Sequence, residues 1–361
     1  MITLYGREWK RQELLRRIGS VAQVGGIRRA RLVEGVEEGT EVLQFRTGTG
    51  FAFTVVPSRG MAIADAEYRG TPLAWLSSTG LVAPQYYRAT EDGWERLFFG
   101  GLLTPCGMMN VGRPCEDEGE QLGLHGNLAT LPAHHVIADQ RWEGNALHLY
   151  AQGKVLESAP GKYALELTRN ISTYLGANRL YISDIVENVG YHDAPFMFLY
   201  HINIGFPILD EGAEVLIPAA ESRARDRRSE AGLIDRFKIT EPVPDFQEQV
   251  FYHDVVADEN RHCWVGVVNR SLGLGVYVRY HKTQFPNLVQ WKMLAEGTYV
   301  LGIEPANCLV EGRAAEREQG TLEYIEVGGR RHFETEIGVL TTPEEIEAFE
   351  SRIAAIRSRQ A

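Results

Sequence analysis

Cysteine is scarce in this chain: Cys106, Cys115, Cys263 and Cys308 are the only four in 361 residues. That is too few for a disulfide framework at this length, so reduced, partly buried thiols are expected. Cys106 and Cys115 lack the close Cys-x-x-Cys spacing of zinc sites, and the adjacent His134 and His135 would face opposite sides of a strand. Long apolar runs are missing as well. No uninterrupted stretch approaches the ~20 residues needed to cross a bilayer. The N-terminus, Met1-Ile2-Thr3-Leu4-Tyr5-Gly6-Arg7, has neither an apolar core nor a small-residue cleavage pattern. A cytoplasmic protein with no membrane partner is the expectation. Positive charge is in deficit: 37 Lys and Arg against 48 Asp and Glu leave −11, which argues against nucleic acid as a partner. There is also no Gly-x-Gly-x-x-Gly before a helix, no P-loop, no Gly-x-Ser-x-Gly elbow and no His-Glu-x-x-His.

What the chain does have is β-pattern. Leu43–Arg46, Phe51–Val56, Leu147–Gly153, Tyr163–Ile171 and Leu180–Asn188 alternate or run apolar for a strand's length. So do Cys263–Asn269, Gly275–Tyr280, Leu288–Met293 and Arg331–Val339. Turn residues such as Gly161 and Gly176-Ala177-Asn178 separate them. Helices do not alternate with these strands, which excludes a doubly wound α/β sheet and predicts a large antiparallel sandwich, all-β in class. One helix is expected at each end. The first uses Trp9, Leu14, Leu15 and Ile18 and stops at Gly19. The last has Thr342 as N-cap, Pro343 at its first position and Glu345 completing a capping box, followed by Ile346, Phe349, Ile353 and Ile356. No repeat or low-complexity linker divides residues 1–361, so a single domain is expected. The segment Ala219–Phe246, rich in Arg, Asp, Glu and Pro, reads as a solvated excursion or as a loop over a pocket with an arginine reaching in.

Three distant segments set polar groups in apolar company: Gly123-Leu124-His125-Gly126, Tyr200-His201-Ile202-Asn203-Ile204-Gly205 and Gly302-Ile303-Glu304-Pro305. Imidazole, with an ordinary pKa of ~6.5, moves protons in either direction at neutral pH. A carboxylate buried without a partner would cost several kcal/mol (roughly) or hold a proton. Strand periodicity puts His201 and Asn203 on one face and Ile202 and Ile204 on the other. Pro305 should limit the Glu304 strand to an edge or an end. Each residue also has a plain structural reading: a histidine between turn glycines, a core His/Asn pair, and a carboxylate paired with Lys292. Gln290, Trp291 and Lys292, with Tyr86 and Tyr87, add the polar and aromatic surfaces that sugars use.

Taken in order, several motifs resemble the aldose 1-epimerase (galactose mutarotase-like) superfamily, and within it the DUF4432 branch. They are Pro57-Ser58-Arg59-Gly60-Met61, Phe99 to Gly107, Gly123 to Gly126 with Pro132-Ala133, Glu187 to Gly190 leading to His201-Ile202-Asn203, and Gly302 to Pro305. The resemblance implies a large twisted antiparallel β-sandwich, the galactose mutarotase-like supersandwich. It implies an isomerase in which Glu304 takes the proton of the anomeric hydroxyl and His201 protonates the ring oxygen. His125, Asn203, Arg59, Lys292, Gln290 and Trp291 would bind the small-molecule sugar. It calls for no metal and no organic cofactor, and is compatible with a homo-oligomer. General acid–base help of this kind contributes ~10²–10⁴-fold. The chain departs from the pattern in lacking the usual arginine segment before the first histidine, for which Arg59 and Arg113 are the candidates, and in lacking a clear aspartate for the distal hydroxyls. Two other functions fit the same residues: a sugar-binding or sensing protein without turnover, and a lyase or epimerase acting on an oxidised sugar.

Overall fold

The computed structural model describes residues 1–88 and 92–360. Among the described residues, eight antiparallel strands form one sheet. Their spatial order is His134–Glu143, Ala146–Ala159, Tyr163–Tyr174, Arg179–Asn188, Arg330–Leu340, Leu274–His281, His262–Asn269 and Glu214–Leu216. A second sheet runs Ala219–Ala224, Gln249–Val255, Asn287–Ala295, Thr298–Ala306, Ala194–Gly205 and Glu323–Ile325, with Thr104–Met108 also pairing to Ala194–Gly205. A five-stranded sheet spans Gly26–Pro72 and meets the second sheet through Ala74 opposite Ile204.

The alternation read from sequence is visible as burial. Ala146–Ala159 and Tyr163–Tyr174 bury nearly every second side chain and leave the others half-exposed. The buried set, including Leu149 and Leu167, together with Ile182 of the next strand, packs against Phe198, Tyr200, Ile202 and Ile303 of the second sheet in one hydrophobic core. Each such side chain contributes roughly 1.5–3 kcal/mol on burial. The strand Ala194–Gly205 is different, because it is buried on both faces over most of its length. One face meets the core. The other lies under loops, and there the polar residues gather.

The helix at the C-terminus, Pro343–Arg357, buries Ile346, Phe349, Ile353 and Ile356 against the outer face of the eight-stranded sheet. Thr342 caps it by accepting from the Glu345 N–H at 3.2 Å, but the Glu345 carboxylate turns to the Thr341 N–H at 2.7 Å, so the capping box is not closed. The N-terminal helix is only Arg11–Leu15, and Trp9 belongs to a short strand before it. Pro305 lies one residue from the end of its strand, as expected, but that strand is interior to its sheet rather than at an edge. His134 and His135 do not diverge: His135 has φ +50°, the strand slips register there, and the two rings lie 4.9 Å apart. All four cysteines are free. Among the described residues, no helix is long and apolar enough to cross a membrane.

Candidate active site

Strand register assembles the polar groups. Ile202 faces Ile303 and Leu199 faces Ala306, which sets His201 opposite Glu304 on the neighbouring strand. Thr104 pairs beside His201, and Val289 beside Glu304. Directly paired residues share a face, so this row looks away from the core that takes Ile202 and Ile303. His201 Nε2 lies 3.2 Å from Glu304 Oε1. A glycine is needed at 302, because a Cβ there would meet Glu304 Oε1 at 2.4 Å and Trp291 Cβ at 2.9 Å.

The row opens into a cavity of about 870 Å³. His201 and Glu304 line it, although they are only 4% and 2% exposed. Loops supply its aromatic wall. Trp94 and Phe98 stack at 4.6 Å, Phe98 stands edge-on to the His201 ring at 5.0 Å, and the His125 ring lies 4.7 Å from Trp94 and 5.7 Å from His201. Trp291, on the sheet, stands 5.4 Å from His201 and donates its indole N–H to Glu248 at 3.1 Å. Glu248 also accepts from Arg225 at 2.8 Å, and Arg225 in turn holds Asp226 at 3.0 Å.

Burial controls the protonation of these groups. It holds His125 down to about 4, so its ring is neutral at pH 7. His125 Nδ1 accepts from the Gly112 N–H at 3.3 Å, which leaves the ring proton on Nε2 as a donor. Its backbone sits at φ +53°, an uncommon conformation for a side-chain-bearing residue. Burial likewise pushes the His201 imidazole down; nearby His125 adds to this, and Asn203 opposes it. Burial pushes the Glu304 carboxyl well up, with Arg225 opposing and Glu248 reinforcing. Both shifts favour the uncharged pair, a protonated carboxyl beside a neutral imidazole, over the ionised one. His201 Nδ1 and Glu304 Oε1 both lack an aligned hydrogen-bond partner. Leaving a buried polar atom unsatisfied costs ~1–3 kcal/mol.

His125, His201, Glu304 and Trp291 thus come together, as does Arg113. Arg225, Arg227 and Arg228 of the charged excursion line the cavity too. Four expected binding residues are elsewhere. Arg59 is 1% exposed and spends its guanidinium on the carbonyls of Ala129, Val82 and Leu97. Lys292 and Gln290 fall on the opposite face of their strand from Trp291. Lys292 Nζ donates to the carbonyls of Asp235 and Lys238, each at 2.7 Å, and is no partner of Glu304. Gln290 bonds His253 at 2.9 Å and the Arg236 carbonyl at 2.7 Å. Asn203 shares the face of His201 but braces the backbone, donating to Gly101 and His201 carbonyls at 3.0 Å. Trp75, Trp94, Phe98 and Glu248 also line the cavity, and no sequence motif points to them. The first three sit in irregular segments without periodicity, so no local pattern marks them.

A family described as "Domain of unknown function (DUF4432)" matches residues 37–339. No curated protein matches the chain. Among solved structures, a provisionally assigned aldose 1-epimerase from Klebsiella pneumoniae superposes with a TM-score of 0.88 at 27% identity, over 92% of this chain and 87% of that one. A galactose mutarotase-like protein from Clostridium acetobutylicum gives 0.61 at 11% identity, over 89% and 100%. A galactose 1-epimerase from Lactobacillus acidophilus gives 0.57 at 11%, over 88% and 99%. The last two likenesses are of fold.

Proposed function

The chain belongs to the DUF4432 family, and from that premise we propose that it is a carbohydrate-active isomerase interconverting the anomers of a sugar or sugar derivative. The observation that carries this reading is the 3.2 Å approach of His201 Nε2 to Glu304 Oε1 inside a cavity walled by aromatic rings. The anomeric hydroxyl and the ring oxygen of a pyranose share one carbon, so a base and an acid standing side by side match them.

The proton count closes without any other reagent. A protonated Glu304 beside a neutral His201 carries the same single proton as a carboxylate beside an imidazolium. Sugar hydroxyls entering the cavity favour the ionised form by hydrogen bonding to it. The Glu304 carboxylate then takes the proton of the anomeric hydroxyl. The His201 imidazolium gives its proton to the ring oxygen, and the bond from C1 to that oxygen breaks, leaving an open-chain aldehyde. This restores the resting distribution, with Glu304 protonated and His201 neutral. Rotation about C1–C2 and the reverse transfers close the ring as the other anomer. His125, whose Nε2 keeps the ring proton, serves as a neutral donor to the substrate, and the indole of Trp291 offers an apolar face to its C–H groups.

The test is anomer exchange, by NMR or polarimetry, on a panel of freshly dissolved aldoses and sugar acids. Acceleration by the wild type that Glu304→Gln abolishes, with sugar binding retained, is the expected result. Binding without acceleration across the panel would replace this reading with the sensor. Deuterium entering at carbon from solvent would replace it with the lyase or epimerase.

A further inference from the structure

The cavity has two halves of different origin. His201, Glu304 and Trp291 stand on the sheet, and hydrogen-bonded register holds them there. Trp94 and Phe98 come from one loop and His125 from another, which the sheet holds through its backbone: the His125 carbonyl accepts from the Gly107 N–H at 3.0 Å. Something else must set the Trp94 and Phe98 loop against His125 and the sheet.

Arg59 is placed to do so. It ends the short turn Pro57–Arg59 and is followed by Gly60 in the left-handed conformation. Its Nε donates to the Ala129 carbonyl at 2.6 Å, Nη1 to Val82 and Nη2 to Leu97 at 2.8 Å, and the guanidinium lies over the Phe99 ring at 5.1 Å. Val82 and Leu97 flank the segment that supplies Trp94, with Phe98 next in line. Ala129 lies four residues after His125. Each branch of the fork therefore holds a different stretch of loop, and the two walls it joins are the ones that touch through Trp94 and His125 at 4.7 Å. A weaker second tie, from Tyr87 Oη to Asn127 Oδ1 at 3.3 Å, joins the same two loops.

Among the described residues no carboxylate pairs with Arg59. Burial pulls its pKa down to about 10, so the cation persists at neutral pH. A fully buried cation solvated by carbonyl oxygens alone is a costly way to fill space. A rigid planar fork of donors is what arginine offers here and apolar side chains of similar size do not.

We infer that Arg59 is a positioning residue: it holds the loop-borne wall of the cavity, with His125 and Trp94, in the register that faces the sheet-borne acid–base pair. This rests on the proposed function for its kinetic readout, but not for its structural one. Arg59→Lys keeps the charge and loses the fork; Arg59→Met loses both. In anomer exchange, KM should rise about tenfold or more in Arg59→Lys, and further in Arg59→Met, as the misplaced wall loosens substrate. The kcat should stay within about threefold, because Glu304 and His201 lie on the sheet. The His125 ring-proton NMR signals should shift in both variants without sugar, while those of His253, on the far face of the sheet, should not. Unchanged KM and unchanged His125 signals in a folded Arg59→Lys protein would overturn the inference, even with a lower melting temperature. So would a loss of kcat with no change in KM. If the wild type turns over no sugar at all, the proposed function fails, and the His125 signals still decide the role of Arg59.

Discussion

Two buried ionisable clusters lie back to back on the strand Ala194–Gly205, and they are built on opposite terms. Tyr200 faces the core and donates to Asp184 at 2.5 Å. Arg169 grips the same carboxylate through Nε at 2.9 Å and Nη2 at 2.6 Å, and its Nη1 reaches the Gly60 carbonyl at 3.3 Å. Every charge there has its partner. One residue along, His201 faces the cavity. Its Nδ1 has no hydrogen-bond partner, and Glu304 Oε1, though 3.2 Å from His201 Nε2, has none that is aligned. Both clusters are buried, but the first is satisfied within the protein and the second is left short beside a space that a ligand can fill. A structural cluster ends its own hydrogen-bonding demand, whereas a functional one leaves some for the substrate.

The largest expected effect separates the clusters by activity. Glu304→Gln should lower the rate of anomer exchange by ~10²–10⁴-fold, since it removes the base and cannot hold the mobile proton. Asp184→Ala addresses the other cluster. It strands a buried guanidinium and should cost ~3–5 kcal/mol in stability, measured by urea unfolding. A Glu304→Gln protein with full activity, or an Asp184→Ala protein as stable as the wild type, would erase the contrast.

The second effect is a dependence on pH with a definite sign. Burial raises the folded-state pKa of Glu304 above its ordinary value of 4.5. A raised carboxyl favours the folded state below its unfolded pKa, and this contribution is lost as pH rises toward the folded value. Glu304→Gln has no such loss. Its stability relative to the wild type should therefore grow from about pH 4.5 upward, by about 1.4 kcal/mol per pH unit until the folded pKa is reached. Urea unfolding at about pH 4.5 and about pH 8 measures the gap. His201, held down by burial, has the opposite slope: it favours the folded state above its ordinary 6.5 and loses that contribution as pH falls. A gap that shrank with rising pH would mean that Glu304 is ionised in the folded protein.

Much of the sheet architecture and the heart of the site were legible in sequence because period two is a local signal. It put His201 and Asn203 on one face, and it marked the segments whose register later joined His201 to Glu304. What period two cannot show is which face of a strand opens on a cavity. Gln290 and Lys292 look as polar as Glu304 in sequence, yet they point the other way and are sealed by the carbonyls of Asp235, Arg236 and Lys238. Arg59 escapes the sequence for a different reason: its partners are backbone oxygens, which every residue has and no motif displays. Trp94 and Phe98 were missed because loops position them from afar, through contacts with no fixed spacing.

The smallest expected effect tests that limit on two adjacent residues. Gln290 and Trp291 are neighbours in sequence and face opposite sides of their strand. Gln290→Met keeps the bulk and leaves His253 and the Arg236 carbonyl without their shared partner, at ~1–3 kcal/mol of stability. KM for the sugar should not change, because nothing on that face touches the cavity. Trp291→Phe keeps an aromatic ring toward His201 but is smaller and loses the donor to Glu248. The strand register is untouched, so the stability cost should be about 1 kcal/mol, from the smaller ring's packing against its neighbours. KM should rise by about two- to tenfold as the ring and the Arg225–Glu248 pair lose their tie, which corresponds to a single hydrogen bond. If the two variants traded outcomes, the face assigned to each side chain would be wrong, and with it the alignment that brings His201 to Glu304.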